Sequence, residues 1–312
     1  MLAGTGTGAS AAGTQSHGSS NPLRQLRLYA APGTSAALAA STASVTVRRK
    51  LAILVKTPQA QWFGDWNSRR TVRSAVHRYV RAAQLASAEP VLVTYAIPHR
   101  DCGSYSAGGF GSAAAYRSWT RQVAAGIGRL RAAVIIEPDA LASMTCLTRA
   151  QQKQRLALLR YAVRTLARRH TTTVYIDGGN SGWLPARVLA HRLRQVDVAK
   201  ARGFSLNVSN FYRTSTEDRY GERVSALLKG KHYVVDTSRN GRGPAKSGSA
   251  SWCNPSGRGL GALPTARTRA KHADAYLWIK HPGESDGTCR SGPAAGNWYQ
   301  KYALGLIARR AR

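Results

Sequence analysis

Acidic residues are scarce. The chain of 312 residues carries 14 Asp and Glu against 46 Lys and Arg, a formal charge of +32. Only 19% of its residues are charged, below the usual ~25%, while 43% are hydrophobic, close to the globular average, which argues against a wholly disordered basic protein. A polybasic tract is also missing. The cations, mostly Arg, are spread along nearly the whole length, whereas a nucleic-acid binder tends to cluster them. The sequence has no run of ~18 apolar residues, which excludes a transmembrane helix. Its four Cys lack CxxC spacing, which argues against a zinc site, and as disulfides they allow three pairings. Residues 1–20 have neither the basic start nor the long apolar stretch of a signal peptide. Their Gly, Ser, Thr and Ala composition reads as a disordered leader. Residues 21–312 contain no Pro-, Ser- or Thr-rich linker and no internal repeat, and read as one domain.

Short β-rich runs alternate with long helical ones. The runs are Gln61–Phe63, Val91–Ala96, Ala133–Glu137, Thr173–Asp177, Gly203–Asn207, Tyr233–Asp236 and Tyr276–Lys280. Between and after them the spacing predicts helices over Ser68–Ala86, Ala113–Arg131, Arg149–Arg169, Pro185–Ala201, Arg219–Lys229 and Asn297–Arg309. The Ser44–Lys56 segment also reads as helix. Strand–helix alternation makes the sheet parallel. Runs such as VLVTYA and AAVIIEP are apolar on both pleat faces, as strands buried between a helical layer and a packed interior must be. The fold class is therefore α/β: a closed or nearly closed seven-stranded parallel β/α barrel.

The few acids are placed informatively. Asp101, Glu137, Asp139, Asp177, Asp236, Glu284 and Asp286 lie at or just past the C-terminal ends of the strands, the rim on which such barrels build their sites. Helix N-capping accounts for any one of them, but less readily for seven. Glu137 and Asp139, two apart in VIIEPD, share one face if the strand period holds. Two close carboxylates do not both ionise easily, so one stays protonated as a proton donor; a structural ion pair of Glu137 with Arg is the alternative. Trp62, Trp66, Trp183, Trp252 and Trp278 lie near strand ends or in loops, and about half of them are expected in the core. Indoles beside carboxylates suit a neutral glycan, whose CH faces stack on rings, whereas the acids would repel nucleic-acid phosphates.

The strings TPQAQWFGDWN, TYAIPHRDCGSYSAGG, VIIEPDALASMTC, YIDGGNSGW, GFSLNVSNF, VVDTSRNG, WCNPSGRGLG and LWIKHPGESDGTC resemble, in order, the motifs of glycoside hydrolase family 6, the cellulases that include endoglucanases and cellobiohydrolases. The resemblance runs from about Asn21 to the C-terminus, so residues 21–312 are expected to be the catalytic domain. It implies a distorted, TIM-like seven-stranded barrel and hydrolysis of β-1,4-glucosidic bonds with inversion. By position it makes Asp139 the general acid, Asp101 the aspartate that adjusts it and assists the water, Asp286 the candidate base and Asp177 a supporting carboxylate. Whether Asp286 takes the proton directly, or Asp101 does so through a second water, is left open. Substrate contacts implied are Trp62, Trp183 and Trp252 as platforms, Tyr95 beside the distorted sugar, and Lys280, Glu284, Asn207 and Arg239. Asn180, Ser285 and Ala107 replace the family's frequent His, Cys and Ser, changes that touch water positioning; Ser106 is next to the last.

The family pattern pairs Cys102 with Cys146 and Cys253 with Cys289, and disulfides imply export to an oxidising compartment. The segments between the motifs are short, which favours an open groove and internal cleavage over a tunnel. Two carboxylates and water suffice for the reaction, so no cofactor or metal is implied. The partner expected is a β-1,4-glucan, as the substrate of a monomeric enzyme. The +32 charge has no task on a neutral polymer. Arg enrichment explains it, adhesion to acidic polymers is the functional reading, and a polyanion-binding or non-catalytic glycan-binding protein on the same barrel is the alternative function.

Overall fold

The computed structural model describes residues 21–246 and 251–311; the expected leader lies outside the described residues. Seven parallel strands follow one another in chain order around the sheet: β1 (Gln61–Gly64), β2 (Val91–Tyr95), β3 (Ala132–Ile136), β4 (Thr172–Asp177), β5 (Gly203–Leu206), β6 (His232–Asp236) and β7 (Ala273–Leu277). Eight helices are present among the described residues: α1 (Ser35–Thr42), α2 (Val45–Lys56), α3 (Val72–Leu85), α4 (Ala113–Ile127), α5 (Arg149–Leu166), α6 (Ala186–Gln195), α7 (Thr214–Leu227) and α8 (Gln300–Ala308). None of these is long and apolar enough to cross a membrane.

Alternate residues of each strand serve two cores. Leu92, Val134, Ile136, Val174 and Phe204 pack outward against α3 to α7. Val91, Val93, Ala133, Ile135, Tyr175 and Val234 fill the barrel interior. This double burial is why the strands read as continuous apolar runs. A third cluster, in which α1, α2 and α8 cover Trp278 and Leu260, lies outside the alternation. The barrel is nearly closed. β1 and β7 share no ladder, but Ala60 N donates to Trp278 O at 3.0 Å and Trp62 Nε1 to Ile279 O at 2.8 Å across the seam.

The expected helix over Ser44–Lys56 is α2, with Ser44 accepting the Val47 amide as its N-cap. The short α1 was not anticipated; its small residues lack helical periodicity, and Thr34 starts it by accepting the Ala37 amide. Several helices are shorter than the spacing suggests. Gly128, at φ 62°, stops α4, and Asp197, at φ 61°, breaks the expected Pro185–Ala201 helix after Gln195. β7 lies three residues earlier than expected. Its buried Asp274 disguised the strand, and at the other end Ile279 N and Lys280 N leave the ladder for the Asp236 carboxylate.

Candidate functional site

Three adjacent strands bring Asp101, Asp139 and Asp177 to the rim. Asp177 ends β4 and is fully buried. Its Oδ1 accepts the amides of Asp139 at 2.9 Å and Gly179 at 3.0 Å, and its Oδ2 accepts Ser205 Oγ at 3.1 Å. Burial nevertheless raises its pKa to about 7, with the Asp236 charge adding to the effect. Asp139 follows β3 in a left-handed conformation, φ 70°. Burial first, then the charges of Asp177 and Asp101, push its carboxyl well above the ordinary range, with Lys280 opposing them. A carboxyl so placed keeps its proton near neutral pH.

The partner that disturbs Asp139 is not Glu137. At φ 49°, Glu137 has already left extended geometry, so the strand period does not carry across it. Its Oε2 accepts the amides of Ala96 and Ile97 at 2.9 and 3.0 Å, and its Oε1 accepts the Tyr116 hydroxyl at 3.1 Å. The alternative of an Arg ion pair also fails among the described residues. Glu137 ties the end of β3 to the chain leaving β2.

That chain holds Tyr95 and Asp101. Arg100 organises it: Nη1 donates to Asp65 Oδ1 at 2.5 Å and Tyr95 O at 2.7 Å, and Nε to Ser106 O at 2.8 Å. The guanidinium lies 4.5 Å over the Tyr95 ring, which meets Trp62 edge-on at 5.2 Å. Asp101 Oδ2 accepts the Ser106 amide at 2.7 Å, so Ser106 contributes its backbone here. Burial raises the Asp101 pKa, against the Ser106 amide and Arg100. Cys102 is bonded to Cys146, which clamps this loop to the one after Asp139.

Asp286 belongs to the loop after β7 and is already well occupied. Arg239 Nη1 donates to both of its oxygens at 2.9 and 2.8 Å, the Asn254 amide to Oδ2 at 3.0 Å, and Lys280 Nζ lies 3.7 Å from Oδ1. The Cys253–Cys289 disulfide closes this loop next to Asn254. Two of the anticipated sugar contacts find other partners. Arg239 is fully buried, holding Asp286 and covering Phe211 at 4.4 Å. Asn207, also fully buried, donates to Tyr212 O and Asp236 O and accepts the Tyr212 amide. Both shape the site from behind, because their polar ends point into the protein. Glu284 binds His281 Nδ1 at 2.8 Å and the Ser35 hydroxyl. Burial would raise its pKa, but His281, Lys280 and Ser35 hold it down to about 2.

Fewer of the five indoles are core than the expected half. Trp278 is core, at 1% exposure, whereas Trp183 at 45%, Trp252 at 39% and Trp66 at 58% face solvent; Trp62 is partly exposed. Tyr105 lies 6.0 Å from Trp252 and extends that aromatic surface. The sequence reading missed Asp65, Asn254 and Tyr105. All three stood inside the quoted strings TPQAQWFGDWN, WCNPSGRGLG and TYAIPHRDCGSYSAGG, but only the folded loops show what they hold.

Exposed indoles around carboxylates of differing acidity, at the C-terminal rim of a parallel barrel, can carry acid–base chemistry on an uncharged polymer. Residues 23–310 match glycosyl hydrolases family 6, and the chain belongs to this family. It is 44% identical over 285 residues to endoglucanase A of Cellulomonas fimi, covering 91% of this chain and 61% of that protein. It thus spans under two thirds of that relative's length. With endoglucanase 1 of Streptomyces halstedii it shares 41% identity, over 82% of this chain and 80% of that one. The structure of the endoglucanase Cel6 from Mycobacterium tuberculosis, solved with methyl-cellobiosyl-4-deoxy-4-thio-β-D-cellobioside, superposes with a TM-score of 0.91 at 51% identity, covering 93% of this chain and 99% of that chain.

Proposed function

We propose that this chain is an inverting endo-β-1,4-glucanase that cuts internal bonds of cellulose-like glucans, with Asp139 as the general acid. The observation that carries the reading is the raised pKa of Asp139, produced by burial beside Asp177 and Asp101. Asp139 donates its proton to the leaving glycosidic oxygen, and water attacks the opposite face of the sugar. The proton of that water passes to Asp101 through a second water. Asp101 is partly exposed and has one oxygen bonded to an amide, whereas three hydrogen bonds already reach the two oxygens of Asp286. A carboxylate has about four lone-pair sites, so Asp286 has little room to orient a nucleophile. Its pairing with Arg239 fixes the loop that carries Lys280 and Glu284. Tyr95 and Trp62 border the distorted sugar, and Trp183 and Trp252 stack on flanking ones.

Internal cleavage is supported by the solvent-facing platforms and by identity: relatives named endoglucanases match at 40 to 44%, and those named cellobiohydrolases at 29%. The thio-linked cellobioside bound in the Mycobacterium tuberculosis neighbour supports the substrate class. Two disulfides support action outside the cell. The test is hydrolysis of carboxymethyl cellulose in moderate salt by wild type and Asp139→Ala, following viscosity and reducing ends. A viscosity drop that outruns reducing ends, and is lost in the variant, is expected. No hydrolysis of this or of unmodified β-glucans by the disulfide-intact protein refutes the reading.

A further inference from the structure

Much of the cationic excess has internal employment. Arg155 donates to Pro98 O, His99 O and Ala140 O, Arg160 to Gln195 O, and Arg192 to Leu141 O and Ala142 O. These guanidiniums cross-link loop and helix carbonyls. A groove between α3 and α4, which shares no residue with the carboxylate rim, is different. It is an open groove of about 490 Å³ with Arg70, Arg73, Ser74, His77, Arg81 and Arg129 along it, no carboxylate, and apolar residues of α4 and the turn after it completing the lining. All four Arg are exposed, and among the described residues none of their side chains has a hydrogen bond or ion pair. Four guanidiniums of five donors each are thus left without a protein partner beside one groove.

The groove is built by close packing. A Cβ at Gly126 of α4 would lie 2.6 Å from Arg73 O and 2.8 Å from Val76 Cβ, so α3 sits directly on the glycine. His77 Nδ1 meets Gly126 O at 3.3 Å. Arg73, His77 and Arg81 are spaced four residues apart on one face of α3, a rise of about 6 Å per step. Arg129, past the end of α4, faces them across the groove. The result is an extended row of planar cations suited to oxyanions that recur along a polymer.

We infer that this groove binds an acidic glycan, a polysaccharide bearing carboxylate or phosphate groups, and so tethers the protein while the rim acts on a neutral chain. The lining has no Trp, Tyr or Phe on which bases would stack, which disfavours single-stranded nucleic acid.

The test uses the full chain and affinity electrophoresis in gels containing polygalacturonate, phosphomannan, neutral dextran or a thymidine oligonucleotide. The groove variant is R70Q/R73Q/R81Q/R129Q, and the charge-matched control, R49Q/K50Q/R168Q/R169Q, removes four exposed cations elsewhere. Loss of about four surface charge contacts should weaken binding of at least one acidic glycan roughly tenfold or more, with the control within about twofold of wild type. R73Q and R81Q alone should show intermediate losses. The polymer affected tells carboxylate from phosphate. Tm verifies folding, so the test stands apart from glucanase activity. Equal losses in groove and control variants, no retardation of wild type by either acidic glycan, or tighter binding to the oligonucleotide than to both glycans would each overturn the inference.

Discussion

Replacing Asp177 by Asn tests the origin of the Asp139 acidity directly. The substitution keeps an oxygen for the Asp139 and Gly179 amides, which donate at 2.9 and 3.0 Å. Ser205 Oγ, now donating to Oδ2 at 3.1 Å, can rotate to accept from the new amide nitrogen. Geometry is thereby preserved while a charge is removed. Asp177 titrates at about 7, so above neutrality it is an anion beside the group that must keep its proton. A like charge within about 4–6 Å disfavours ionisation by about 1–3 pH units, or about 1.4–4 kcal/mol. Asp139 is partly exposed, so the lower half of that range is expected. The sign is definite: with the anion gone Asp139 ionises earlier, and the alkaline limb of kcat/KM moves down by about 1–2 pH units. Burial and Asp101 remain, so the limb stays above that of an ordinary carboxyl. A kcat/KM profile on a neutral β-glucan provides the measurement. An alkaline limb that stays in place or moves up refutes the assignment of Asp177 as the charge that holds the proton on Asp139.

Asp286→Asn leaves the fully buried Arg239 without its counter-charge, which should destabilise by about 3–5 kcal/mol and lower Tm by several degrees. Asp101→Asn should instead lower kcat by about 100-fold or more while leaving Tm near wild type; the reverse pattern would make Asp286 the base. Opening either disulfide by a paired Cys→Ser change releases a loop constraint, with residues 44 or 36 apart joined. The chain-entropy model gives about 4 kcal/mol for each, read as a fall in Tm. Glu217 is fully buried, with Ser181 as donor, and burial, with Asp218 nearby, raises its pKa from 4.5 to about 7. The folded state therefore holds a proton that the unfolded chain has released between these values, and stability falls as pH rises through that window by up to about 3 kcal/mol. Glu217→Gln should flatten this part of the Tm–pH curve, and an unchanged slope would remove Glu217 as its source.

The barrel was legible because its strands have apolar residues on both faces and its helices have long amphipathic spacing. What escaped was set by single residues acting against the local pattern. Asp274 hides β7 because a buried acid reads as a break, yet Arg202 Nε and Nη2 and the Tyr175 hydroxyl satisfy it at 2.7, 2.9 and 2.7 Å. Asp197 stops α6 by adopting φ 61° in a stretch of otherwise helix-compatible sequence. α1 has no stripe to read, since small residues let it pack with α2 and α8 without one.

The rim carboxylates show where sequence reasoning stops for a physical reason. Their position at strand ends follows from the alternation of elements, but their division of labour depends on where the backbone turns. Asp101, Glu137, Asp139 and Asn207 all have φ between 49° and 70°, a region that non-glycine residues enter rarely and that clusters at functional sites. Each such turn cancels the strand period just where the site begins. Glu137 is thereby aimed at the amides after β2, leaving Asp139 to face Asp177, and Asn207 is turned into the protein, away from the groove. Asp236 remains in its strand and still becomes an anchor, accepting the amides of Ser209, Ser238 and Lys280. Carboxylates that collect several donors are tied into the loops; those left with few donors are free to exchange protons. The distinction lies in hydrogen-bond occupancy, which residue type and spacing do not encode: among the described residues the Asp139 carboxyl accepts no hydrogen bond and Asp101 one, against two or more for each of the five other acids on the same rim.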